Sequence, residues 1–431
     1  MTLSRQQKIF PALVVLTGIV ICFAPCALVL GCTGIYITPV SSYLGVGRGE
    51  LALYMSIVCL SAMVVMPIQE RVLEAYDVRF VLSGAVCLVG VPFLLLSISQ
   101  ELWHFYLLGI VMGIGLSVLL YLAVPLLINR WFNTHVGFFT GLCFAFSGIG
   151  GAVFNPIGGY FIALGPEGWR LAYLFFGLVT LLLTLPFTLF CVRSKPSDID
   201  MSPVESLNFT PKFFHVKSKA HQDGKRHLVA VPLRYVVKSP SFYVMLIFGF
   251  LVTCCVEISQ YFPSYASAQT NFPDVVAASS IVVSVSMAGS AIGKIFLGTI
   301  NDKLSARACV SLAMACGLFG LICMLLFPGL LIMLYIGAFL FGIFYASANV
   351  VIPLFVRALY GTLDFFKIYS YVAVGVAAGD AIGLSIWGFI ADSIGFDAIF
   401  IVGIIAIIFL LCSGFFAYHN AAKLREKHGV S

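Results

Sequence analysis

The feature that most limits what this chain can fold into is an apolar run of about 20 residues that recurs twelve times. The runs cover 10–37, 51–68, 80–98, 105–128, 136–164, 171–192, 242–262, 275–300, 308–327, 330–356, 368–390 and 397–418. About 20 helical residues, rising 1.5 Å each, cross the ~30 Å hydrocarbon core of a bilayer. The runs are too long for strands and do not alternate. Inside lipid, only a helix satisfies its own backbone polar groups within one segment. Composition agrees, because only 10% of residues are charged and 61% are hydrophobic. A soluble domain carries roughly a quarter charged residues, so these charges cannot coat a water-facing globule. The predicted fold is an all-α membrane bundle of twelve transmembrane helices. The first run is longer than a signal-peptide core and lacks a small-residue cleavage site, so it reads as a retained helix.

The polar residues organise the bundle. The stretch 193–240 is the only long loop, and it carries Lys195, Lys212, Lys217, Lys219, Lys225, Arg226, Arg234 and Lys238. It divides the chain into a first six-helix half (1–192), a linker (193–240), a second half (241–420) and a tail (421–431). With the N-terminus in the cytoplasm, all of the 24 Lys and Arg except Arg48, Arg170 and Lys294 fall on the cytoplasmic side. The positive-inside bias therefore predicts cytoplasmic N- and C-termini in a cell (inner) membrane. The net charge of +6 reflects this topology and does not call for nucleic acid. The sequon Asn208-Phe-Thr210 lies on the same side and is expected to be silent. The halves echo one another at a common offset: Pro125-Leu126 with Pro353-Leu354, Phe132-Asn133-Thr134 with Tyr360-Gly361-Thr362, and Gly151 with Gly379. Such echoes are what a duplicated bundle leaves.

Thirteen cysteines are scattered without a CxxC pair, so they read as packing residues rather than as a zinc or disulfide framework. No HExxH, GxSxG or His/Cys cluster occurs. An enzyme, a metal and a cofactor are therefore not expected.

Charges in the hydrocarbon cost roughly 2.5–3.5 kcal/mol each and mark functional positions by default. Three stand out. Lys294 shares a helix face with Ser280, Ser284 and Ser290, a stripe expected to line a wet cavity. It either binds an anionic substrate group or snorkels to the surface. Glu257 shares a face with Thr253, Gln260, Tyr261 and Ser264. It is a proton-coupling group, a countercharge to Lys294, or a hydrogen bond between helices. Asp380 sits beside Gly375, Gly379 and Gly383, whose spacing brings a neighbouring backbone close. It is an ion or proton site, a partner for Lys294, or an acid satisfied by a neighbour such as Asn349. Tyr36, Tyr121, Tyr261, Tyr345 and Asn349 are placed as candidate substrate contacts. Pro25, Pro156 and Pro353 should kink or break their helices.

The loop after the eighth run reads Gly298-Thr-Ile-Asn-Asp302-Lys303-Leu-Ser-Ala-Arg307. It resembles the G-x-x-x-D-R/K-x-G-x-R/K signature of the major facilitator superfamily, with Ser305 at the second glycine. A decayed copy, Glu70-Arg71-Val-Leu-Glu74-Ala-Tyr-Asp77-Val-Arg79, follows the second run. Asn129-Arg130-Trp131-Phe132 before the glycine-dense stretch Gly137 to Gly159, together with Lys294, looks like the oxalate/formate antiporter and monocarboxylate transporter branch. Relatives there often carry a second cation in helix one or eleven, where this chain has none and Asp380 respectively. The resemblance implies two pseudo-symmetric halves around a central cavity and alternating access. Gly298, Asp302, Lys303, Arg307, Glu74 and Arg79 would form the conformational signature. The implied function is transport of a small organic anion, a monocarboxylate or short dicarboxylate, by a monomer, through proton symport or anion exchange. The alternative is a proton-coupled carrier or exporter of a cationic or neutral drug-like solute, though Gly109 stands where drug antiporters usually have an arginine.

Overall fold

The computed structural model describes residues 5–132, 136–193, 196, 231–269, 275–361 and 363–428. Among these the chain is helical throughout, without strands. Eleven segments are long and apolar enough to cross a membrane. The tenth crossing is divided between Leu331–Tyr345 and Val351–Tyr360. Twelve crossings result.

The interruptions have local causes. Proline cannot donate to the carbonyl four residues back. Around Pro25 the first crossing widens into a π-helix over Cys22–Gly31, and it resumes as Gly34–Leu44. It ends at Gly45, whose φ of 68° closes the helix in the left-handed conformation that glycine adopts without strain. The seventh crossing tightens to a 3₁₀ turn over Glu257–Tyr261 and restarts at Phe262–Ser267, with Pro263 in the first turn. Pro353 likewise sits in the first turn after the break in the tenth crossing, where no backbone donor is needed. Pro156, in contrast, lies inside the continuous helix Val136–Ile162.

One face of the bundle holds the chain ends. There Trp131 Nε1 donates to Arg193 O, Val231 N to Tyr360 O, and Arg425 Nη1 to Ala358 O. We call it the terminal face. The first and second sets of six crossings meet along two seams. In one, the fifth crossing (Val136–Ile162) packs on the eighth (Val275–Lys303): a Cβ on Gly148 would lie 3.0 Å from Met287 O, and Gly159 abuts Ser280. In the other, the second crossing (Arg48–Ala75) packs on the eleventh (Phe365–Ser393), with Gly49 against Gly388. Such small-residue contacts let backbones approach where lipid supplies no hydrophobic driving force.

Polar links between the sets gather toward the face opposite the termini. Arg48 Nη1 pairs with Asp392 Oδ1 at 3.1 Å, and Gly49 N donates to Asp392 Oδ2 at 3.0 Å. Arg48 Nε donates to Thr38 Oγ1 at 3.2 Å, and Thr38 in turn donates to Ser264 Oγ at 2.7 Å. Gly34 N donates to Gln260 Oε1, while Gln260 Nε2 donates to Leu30 O. Deeper in, Ser56 and Ser385 share a hydroxyl hydrogen bond of 2.8 Å. The far face is therefore latched by one ion pair and a ladder of hydrogen bonds.

Candidate functional site

Of the three intramembrane charges, Lys294 lies on a seam between the two sets, whereas Glu257 and Asp380 face each other between two crossings of the second set. Lys294 belongs to the fifth–eighth seam. Its ammonium donates to Phe144 O at 3.3 Å and to Ser147 Oγ at 3.2 Å, both on the fifth crossing. It is half-buried, and none of the ion pairs among the described residues includes it. It is thus held across the seam by neutral groups and is not the partner of Glu257 or Asp380 in this conformation. An ammonium has three donors, and two are committed.

In this conformation the serine stripe ahead of Lys294 is packed into the seam. Ser280, Ser284 and Ser290 are all buried. Ser280 packs against Gly159 and donates to Ala277 O, and Ser284 donates to Ser280 O. A hydroxyl that bonds back to its own helix needs no water. Ser280 and Ser284 thus serve close packing of the seam, whereas the buried Ser290 hydroxyl has no hydrogen-bond partner among the described residues.

Glu257 and Asp380 share a different seam, between the seventh and eleventh crossings. The glycines of the eleventh bring the two backbones together: a Cβ on Gly375 would lie 2.7 Å from Leu246 O, and one on Gly383 would lie 2.9 Å from Cys254 Cα. The same Gly383 probe position is 3.3 Å from Glu257 Cγ, one helical turn from Asp380. Thr253 Oγ1 donates to Val376 O at 2.9 Å and Trp387 Nε1 to Cys254 O at 2.6 Å, clamping the seam on either side. Both carboxyls are half-buried. They lie within electrostatic reach of one another, of Tyr345 on the tenth crossing, and of Cys59 on the second. Cys59 puts the first six crossings within electrostatic reach of this acidic pair, whereas Ser147 accepts directly from Lys294.

The candidate substrate contacts divide. Tyr345 is half-buried near the acids, and Asn349 is exposed at the break in the tenth crossing. Tyr36 is buried and stacks on Tyr173 with ring centroids 4.0 Å apart, and its hydroxyl finds no partner among the described residues. Tyr261 is buried and donates to Leu384 O at 2.6 Å, joining the seventh and eleventh crossings. In this conformation both tyrosines pack between helices. The side chain of Tyr121 lies outside the described residues.

Of the signature residues, the side chains of Glu74, Asp302 and Lys303 are also outside the described residues. Gly298 has open space around it. Arg307 lies over the Tyr418 ring, 4.0 Å from its centroid, and so rests on the twelfth crossing. Arg79 pairs with Asp77 at 2.6 Å, and Asp77 also caps the third crossing through Arg79 N. Ser147, Cys59 and the Arg48–Asp392 latch were not singled out from sequence. The signals were faint: a serine among glycines, and two charges at the ends of apolar runs.

Twelve crossings in two sets, with Lys294 on a seam between them and an acidic pair within the second set, make this a polytopic membrane protein. The family model of the Major Facilitator Superfamily matches residues 19–282 and 274–429, and the chain belongs to that superfamily. Among curated proteins, it is 24% identical over 163 residues to the uncharacterized MFS-type transporter YcxA of Bacillus subtilis (strain 168), covering 37% of this chain and 39% of that protein. It is 31% identical over 90 residues to the probable transporter MCH2 of Saccharomyces cerevisiae, covering 21% of this chain and 19% of that one. The matched stretch thus spans well under half the length of either relative. Solved structures agree on the fold. A mutant of the nucleoside transporter NupG superposes with a TM-score of 0.72 at 11% identity, over 94% of this chain and 100% of that one. A bacterial homologue of the human lysosomal transporter Spinster, in an inward-facing, unoccupied conformation, gives 0.68 at 12% identity over 100% of both chains.

Proposed function

We propose that this protein is a secondary transporter of a small organic anion, a monocarboxylate or short dicarboxylate, that works by alternating access with proton symport or anion exchange. The observation that carries the reading is Lys294: a half-buried cation on a seam, held by a carbonyl and a hydroxyl and included in none of the ion pairs among the described residues. A carboxylate substrate would supply the missing charge and use the third donor. Glu257 and Asp380 are the coupling groups. Two carboxyls on one seam repel when both are ionised, so protonation biases the seam toward one packing. The Lys and Arg distribution supports an orientation with the terminal face, and both termini, in the cytoplasm, and the protein in the inner membrane. In that orientation the Arg48–Asp392 latch lies at the outer face.

A second reading is favoured by the acidic pair itself. With Tyr345 in reach, Glu257 and Asp380 would suit a cationic or neutral drug-like solute exchanged for protons.

Thermal unfolding of the purified protein with small carboxylates, amines and lipophilic cations separates the two. A ligand at a hundredfold excess over its Kd stabilises by about 2.7 kcal/mol. The anion reading expects a carboxylate to stabilise wild type and not Lys294→Gln. Stabilisation by cations alone, lost in Glu257→Gln, would overturn it in favour of the second reading.

A further inference from the structure

We infer that a basic groove at the terminal face, between the start of the seventh crossing and the end of the twelfth, binds the phosphate headgroup of an anionic phospholipid. This site is separate from the seams and does not depend on which solute is carried. The groove has a volume of about 350 Å³. Lys238 stands on one wall, and Lys423 and Lys427 on the other, with Asn420 one turn away. The spacing of 420, 423 and 427 puts all three on one helical face.

All three lysines are exposed, and none takes part in an ion pair among the described residues. No acid lines the groove among the described residues. Asp364, on the adjacent eleventh crossing, is occupied by Leu233 N at 2.9 Å and Lys367 at 3.8 Å. Glu426 is exposed outside the lining. Three like charges drawn together repel, and nothing in the lining relieves them, so the groove favours an anion.

The wall that holds Lys238 is fixed in place. The short helix Leu233–Val236 is pinned by Leu233 N to Asp364 and by Val231 N to Tyr360 O. Ser239 then caps the helix Pro240–Val256, whose positive dipole end also borders the groove.

What selects a lipid over a free phosphate is the surface beyond the lysines. On the membrane side, the same two helices expose Tyr243 (55%) and Phe416 (52%), and further in Ile247 and Phe409. Phe409, Phe416, Asn420, Lys423 and Lys427 continue one stripe of the twelfth crossing. Charge thus gives way to apolar surface along a single line, as a headgroup with acyl chains requires.

The test uses the full chain in neutral detergent, with phosphatidylglycerol, phosphatidylcholine or inorganic phosphate added. The readouts are lipid retention by native mass spectrometry and thermal unfolding. Wild type should retain phosphatidylglycerol at least severalfold over phosphatidylcholine. The triple variant Lys238→Gln, Lys423→Gln, Lys427→Gln should lose at least tenfold of that retention, and the triple Arg variant should keep it. Without lipid, the Gln variant should unfold at the wild-type temperature, because the lysines are exposed. If that variant is itself unstable, Lys423→Gln alone should still lose several-fold in retention. Equal retention of the two lipids, or full retention by the Gln variants, would overturn the assignment. Inorganic phosphate stabilising as well as phosphatidylglycerol would make this a free-phosphate site and remove the lipid claim.

Discussion

At the scale of single residues, the charges were legible and their partners were not. Lys294, Glu257 and Asp380 announce themselves because a charge inside an apolar run is costly and rare. Ser147 and Cys59, which place the first six crossings near those charges, come from other helices, and no local pattern marks them. Ser280 and Ser284 show a related limit: periodicity shows which residues share a face, not whether a hydroxyl is already satisfied by its own helix. Two expectations belong to this scale. Lys294→Gln should weaken carboxylate binding about 10- to 150-fold, the ~1.5–3 kcal/mol of a hydrogen bond to a charged group. Titration calorimetry would check it, and the variant's unchanged unfolding without ligand would show that the fold is intact. Glu257→Gln and Asp380→Asn should separate binding from coupling. Each should leave equilibrium carboxylate binding within a few-fold of wild type, while uptake driven by a pH gradient into proteoliposomes collapses. A variant that still concentrates the solute against a gradient would acquit that carboxyl.

At the scale of elements, hydropathy located all twelve crossings, because the bilayer fixes both the length and the polarity of a span. The breaks within crossings were only partly legible. Pro25 and Pro353 stand at a widened turn and just after a break, as their missing donors suggest, yet Pro156 lies in an unbroken helix. What a proline does depends on whether neighbouring helices can take up the freed carbonyl. The Gly375, Gly379, Gly383 spacing correctly signalled a close neighbour, but only the structure identifies it as the seventh crossing. Gly383→Leu should therefore be costly, because even a Cβ there meets Cys254 Cα at 2.9 Å. A loss of about 1–3 kcal/mol is expected from overpacking, seen as a lowered unfolding temperature in detergent. Gly84, with open space around its Cβ position, is the control: Gly84→Leu should be tolerated.

At the scale of the whole molecule, alternating access requires the latch on the far face to open, and the latch is weak enough to do so. The Arg48–Asp392 pair is about 30% exposed on each side, a setting in which an ion pair contributes roughly 0.2–1 kcal/mol. Gly49 N and Thr38 add one hydrogen bond to each of the same two charged side chains. Opening therefore breaks many small links, none of which alone dominates. Asp392→Asn should shift the balance toward the state open at the far face by no more than about fivefold, since 1.4 kcal/mol is tenfold. A covalent link at the same place should act far more strongly. The hydroxyls of Ser56 and Ser385 are 2.8 Å apart, one on each side of the seam, so cysteines at both positions are placed to cross-link on oxidation. With the far face closed, solute should still reach Lys294 from the terminal face, and binding should persist. Flux across proteoliposomes should stop, and a reductant should restore it. Flux that survives a complete cross-link would mean that this seam never opens, and the carrier would then have to work by some motion other than rocking of its two halves.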